Sequence, residues 1–141
     1  MTVNGPPPLI PELGCSDFKT SLTFYIDVMG FNIVYQRAEE GFAMLERQGA
    51  HLMIDEIGIG RSWGSGAMEK PYGRGINIQM KTTAADELYA RVRDFGALIF
   101  LPMEEQWYRR DGELLGNRQF IVQDPDGYLL RFYQDLGTKP A

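Results

Sequence analysis

Few side chains in this sequence of 141 residues can do chemistry, and their spacing limits what that chemistry is. The chain has one histidine, His51, and one cysteine, Cys15. His51 and Asp55 share one face of the β-rich run 50–55, but four strand residues separate them by about 13 Å, too far to chelate one ion together. A lone Cys15 excludes a CxxC pair and an internal disulfide framework, and it is expected to be a packing residue. Nothing in the pattern supports a Cys15–His51 nucleophilic pair. Gly58-Ile59-Gly60-Arg61-Ser62-Trp63-Gly64 misses the G-x-G-x-x-G spacing and follows no βα pattern, so a dinucleotide loop is excluded. What remains is binding equipment. Glu12 and Asp55 supply negative potential, Trp63 and Trp107 are rigid rings that stack on planar or cationic groups, and Arg131 and Tyr133 lie in a C-terminal apolar run.

The elements that position these groups are readable from periodicity. Phe120 to Gln123 and Tyr128 to Tyr133 are β-rich, and Asp124-Pro125-Asp126-Gly127 between them predicts a hairpin. Upstream, Leu9 to Leu13 is a first strand, and Leu22, Tyr25, Ile26 and Met29 recur at helical spacing until Gly30. Ser16 or Asp17 is the expected N-cap of that helix. Residues 31–36, 42–46 and 50–55 are three strands of a meander. A glycine-rich linker, 58–74, follows. Then a strand at 75–80, a helix over 84–95 stopped by Gly96, and a strand at 98–101 repeat the order, with an excursion at 102–117 before the final hairpin.

The halves align. Leu22 and Gly30 recur 66 positions on as Leu88 and Gly96, while Phe42, Gly49 and Met53 recur 78 positions on as Phe120, Gly127 and Arg131. Such self-similarity marks a duplicated unit. The expected fold is α+β: one domain over 1–141, with βαβββ modules at 9–57 and 75–135 whose curled mixed sheets form an open barrel or cleft. Alternation assigns Leu130 and Phe132 to the helix side. The opposite side receives Ile10 and Glu12, then His51, Met53 and Asp55, then Asn77 and Gln79, then Leu129, Arg131 and Tyr133.

Composition sets the class. With 44% hydrophobic and 23% charged residues the chain is ordinary globular material, and its net charge of −5 opposes nucleic-acid binding while suiting a cationic ligand. No apolar run reaches the roughly 18 residues that span a bilayer, and the start lacks signal-peptide features, so a cytoplasmic protein is expected.

The ending Asp-Pro-Asp-Gly-Tyr-Leu-Leu-Arg-Phe, the Ser/Asp-Phe start of the first helix and the duplicated βαβββ pattern resemble the vicinal-oxygen-chelate superfamily. That group includes glyoxalase I, extradiol dioxygenases and the bleomycin-resistance proteins. In its metal enzymes the fourth residue after the turn glycine is a metal-binding Glu. Here it is Arg131. The resemblance puts the other three metal positions at Ile10, Met53 and Asn77, with Ile76 as the alternative register for the last. An alkyl chain, a thioether, an amide and a cation are no ligand set for a hard divalent metal. The resemblance therefore implies no metal or other cofactor and no catalytic residue. It points to a bleomycin-resistance-type homodimer that sequesters a planar cationic antibiotic in a cleft, using Glu12, His51, Met53, Asp55, Trp63, Asn77, Trp107, Arg131 and Tyr133. The alternative is a lyase, isomerase or dioxygenase of the same superfamily with a relocated metal.

Overall fold

The Asp-Pro-Asp-Gly turn forms as the sequence predicts. In the computed structural model, which describes residues 5–61 and 63–141, Gly127 has φ 99° and its N–H donates to Asp124 O at 2.9 Å. The buried Asp124 carboxylate accepts from the N–H groups of Asp126 and Tyr128 at 2.9 and 3.0 Å, so the turn carries its own Asx-type brace.

Two units divide the chain, one ending at Tyr72 and one beginning at Gly73. The first runs β1 (Glu12–Cys15), α1 (Phe18–Thr23) continuing as a π-helical turn (Phe24–Val28), β2 (Asn32–Arg37), β3 (Phe42–Arg47) and β4 (Ala50–Glu56). The second runs β5 (Asn77–Lys81), α2 (Ala85–Phe95), β6 (Ile99–Arg110), β7 (Glu113–Gln123) and β8 (Leu129–Pro140). This is the expected pair of βαβββ modules. Each is an open, mixed four-stranded sheet and neither closes into a barrel, with orders β1-β4-β3-β2 and β5-β8-β7-β6. In both, the outer first strand pairs parallel with the last, and the other pairs are antiparallel.

Each sheet buries its own core on one face. In the first unit Leu13, Cys15, Ala43, Leu45, Leu52 and Ile54 are buried with Tyr25 and Phe31, whose rings meet edge to face at 5.5 Å. In the second, Leu130 and Phe132 are fully buried with Val122, Leu88 and Val92, and Phe120 stacks on Phe132 at 5.7 Å. Cys15 is thus a packing residue, and Leu130 and Phe132 lie on the face the alternation assigns them.

Three local expectations need correction. The first strand starts at Glu12, not Leu9: Pro11 has no N–H to offer a ladder and contributes only its carbonyl, which accepts from Met53 N at 2.9 Å. Asp17 occupies the N-cap position, but its carboxylate accepts from the Thr20 hydroxyl and caps no backbone N–H. The cap comes from elsewhere. Glu56 Oε1 accepts from Phe18 N at 2.7 Å, and in the second unit Gln134 Oε1 accepts from Ala85 N at 3.1 Å. Glu56 and Gln134 stand the same 78 positions apart as Met53 and Arg131, so the duplicated unit caps its helix from its last strand in both copies. Finally, residues 102–117 are strand. They lengthen β6 and β7 into a hairpin turned at Asp111-Gly112, and residues 134–140 of β8 pair along β7.

Candidate functional site

The face of the first sheet away from its core is organised in rows. One row runs Glu12, Met53, Met44, Tyr35 across β1, β4, β3 and β2; the next runs Gly14, Asp55, Phe42, Arg37. Paired residues in a ladder point the same way, so these side chains converge above the sheet. Glu12, Tyr35, Arg37, Phe42, Met53 and Asp55 of these rows line a cavity of about 270 Å³ that Glu40, Gly60, Arg61 and Trp63 complete along the rim.

Its charges are arranged in two ways. Glu12 and Asp55 hydrogen-bond to each other, and both carboxyls are held above the usual carboxylate range. For Glu12 the causes are burial first, then the charge of Asp55 and the bond to it, with Arg37 opposing; for Asp55 burial dominates and the bond to Glu12 opposes. Each carboxyl is therefore harder to ionise than a free one. The guanidiniums instead lie on rings. Arg37 sits over Phe42 at 4.2 Å and bonds Glu40 at 3.2 Å, and Arg61 sits over Trp63 at 4.3 Å. Trp63 is 64% exposed at the rim.

Of the residues singled out from sequence, the cavity brings together Glu12, Met53, Asp55 and Trp63. His51 shares their face two residues from Met53, beside Glu46 in the ladder, and its Nδ1 lies 3.4 Å from Gly49 O. Asn77, Arg131 and Tyr133 stand on the open face of the second sheet, where Asn77 pairs with Leu129 and Gln79 with Arg131; Ile78 and Met80 take the core side, which fixes the Asn77 register. Trp107 lies flat on β7 opposite Gly116, where a Cβ would sit 2.6 Å from the ring. Its Nε1 donates to Glu105, and Lys139 Nζ is 4.0 Å from the ring centre.

Tyr35, Arg37, Glu40, Phe42 and Arg61 also line the cavity, and sequence alternation does not single them out. The alternation of β3 would have put Phe42 and Met44 on one face, but β2 bulges between Ile33 and Tyr35, which hides its parity from the sequence. Gly60-Arg61-Ser62-Trp63-Gly64 also spells G-x-S-x-G. That pattern marks a nucleophile on a tight strand-to-helix turn, and no helix follows it before α2; Ser62 itself lies outside the described residues.

The metal positions Ile10, Met53, Asn77 and Arg131 do not fit a divalent metal by donor chemistry. Among the described residues no group of three or more His, Cys, Asp or Glu side chains is gathered to hold one. Nor is any helix among them long and apolar enough to cross a membrane.

Known proteins carry the same plan. The chain is 30% identical over 136 residues to bleomycin resistance proteins of Geobacillus stearothermophilus and Staphylococcus aureus, covering 90% of this chain and 96% of each relative. Its fold matches a protein of unknown function from Agrobacterium tumefaciens (TM-score 0.70, 23% identity, 94% and 96% of the two chains). It also matches TioX from Micromonospora sp. ML1 (TM-score 0.67, 21% identity, 91% and 98%). The family description Glyoxalase/Bleomycin resistance protein/Dioxygenase superfamily matches residues 10–132, and with the duplicated βαβββ units and their shared strand order it establishes that this chain belongs to that superfamily.

Proposed function

We propose that this protein binds and sequesters a planar, cationic, antibiotic-like small molecule without transforming it. The observation that carries this reading is the Glu12–Asp55 carboxyl pair at one side of a cavity walled by Tyr35, Phe42 and Trp63. Rings give a flat cation a stacking surface, and the carboxyl pair gives it a counter-charge. The 30% identity to bleomycin resistance proteins supports the same ligand class. The cavity is open at Trp63, and the neighbouring edge strand β2 is exposed along its length, with Val34 and Tyr35 about half exposed. A second copy covering that edge would complete a cleft, so a cytoplasmic homodimer is the working unit.

Trp fluorescence titration with bleomycin and with an anionic aromatic dye of similar size tests this. Saturable quenching by bleomycin alone is expected, and Trp63→Ala, followed by titration calorimetry because it removes the reporter, should weaken bleomycin binding by about 1–3 kcal/mol. Equal affinity for the anionic dye would overturn the reading.

The raised carboxyls of Glu12 and Asp55, side by side at the cavity wall, favour a second reading, a proton-transfer enzyme of the superfamily. A ligand recovered chemically changed after incubation with wild type, and unchanged after incubation with Glu12→Gln, would select it.

A further inference from the structure

We propose that the open face of the second sheet is an anion site, built around Arg131 and suited to an organic carboxylate. Arg131 lies mid-strand in β8, paired with Gln79 of β5 and Ile121 of β7. Its Nη2 donates to Gln79 Oε1, a neutral acceptor, and its Nε is buried with no hydrogen-bond partner among the described residues. Its neighbours on that face are Asn77, Leu129, Tyr133 and Gln119, none of them a carboxylate. A guanidinium taken partly out of water with no counter-ion is costly, and a carboxylate is the group that matches its planar fork.

A second orphan stands beside it. Gln119 is only 1% exposed, and its Nε2 donates to Glu104 Oε2 and to the Tyr108 hydroxyl, both at 2.7 Å. Those bonds fix the amide, because turning it over would set Oε1 against the Glu104 carboxylate. They also occupy Glu104, the nearest acid along that row, on Gln119 rather than on Arg131. Gln119 Oε1 is then a buried acceptor without a donor. A carboxylate oxygen satisfies the Arg131 Nε–H, whereas Gln119 Oε1, an acceptor on a diagonal position of the same sheet face, calls for a ligand donor such as a hydroxyl, so the pair together suit a hydroxycarboxylate, of which benzoate probes the Arg131 half. Gln79 is the positioning residue, holding the guanidinium in place.

This site belongs to the second unit, and its test is read separately from cation binding in the first. Benzoate is the probe, benzamide the neutral control of the same shape, and sodium chloride of matched ionic strength the control for screening. The readout is the Arg131 Nε–Hε cross-peak in a ¹H–¹⁵N spectrum, assigned with Arg131→Gln. Benzoate should move it saturably while benzamide and chloride do not. Arg131→Gln, followed through the Gln79 side-chain amide, should weaken benzoate binding by about tenfold or more. If that variant does not fold, the three-probe contrast on the wild type decides. Equal shifts from benzoate and chloride, or unchanged benzoate affinity in a folded Arg131→Gln, would overturn the proposal. Because cation binding is read at Trp63, failure of either proposal is visible without the other.

Discussion

The two sheets share a strand order, a parallel closing pair and a helix capped from the last strand, yet their open faces carry opposite chemistry. The first presents Glu12, Asp55, Tyr35 and Phe42, with guanidiniums laid on its rings. The second presents amides around an uncompensated Arg131. The helix-side faces differ far less, since both hold buried aromatics against aliphatic strands. The contrast follows from burial. A face that must exclude water accepts only apolar shapes that fit, whereas the other face can change charge and aromatic content at small cost to folding.

The largest expected effect tests that division. Tyr25→Ala and Phe132→Ala each empty a fully buried site, one per unit, and should cost about 3–5 kcal/mol in urea unfolding. Met53→Ala and Leu129→Ala, on the open faces, should cost about 1 kcal/mol or less. Open-face losses as large as core losses would mean that these faces are structural and the division is wrong.

A smaller effect sharpens the likeness of the two units. Glu56→Ala and Gln134→Ala each remove the acceptor for a helix N-terminal N–H, and each should lower stability by about 0.5–2 kcal/mol. Glu56→Gln, which keeps an acceptor, should recover most of the loss. A measurable loss at one position and none at the other would show that only one copy uses this cap.

The smallest effect separates the faces by pH. Glu12 and Asp55 both have raised pKa values in the folded state. Their proton therefore favours the folded form at low pH, and that contribution is lost as pH rises through the folded values. Both groups are largely solvated, so the change should stay well under about 1 kcal/mol and be flatter in Glu12→Gln. Cation affinity should move the other way, rising with pH as Glu12 and Asp55 ionise, while anion affinity at the second sheet stays level. Cation affinity that falls through the same range would remove the pair from the binding site.

Much of this molecule is legible in the chain itself. Period-two alternation through 128–133 and 50–55, helical spacing before Gly30 and Gly96, and the Asp-Pro-Asp-Gly turn all depend on neighbours a few residues apart. The offsets of 66 and 78 positions expose the duplication. Alternation also separates Leu130 and Phe132 from Arg131 without reference to any other strand. For the same reason Glu12, Met53 and Asp55 were recognisable as one face.

What the sequence could not supply was lateral. The cavity depends on β1 meeting β4 with Glu12 opposite Met53, and on a bulge that returns Tyr35 and Arg37 to that face. Residues 102–117 become strand because residues 134–140 of β8 arrive to pair with the hairpin they form. Glu56 caps a helix that begins 38 residues earlier. Alternation, turn chemistry and helical spacing are set by the local chain, so the sequence alone determined the elements, their order, their duplication and the parity of most strands. Register, distant caps and the side chains gathered over one sheet face arise from pairing between distant segments, so only the tertiary structure decided that Glu12 meets Asp55 and that the Arg131 guanidinium is held by the Gln79 amide.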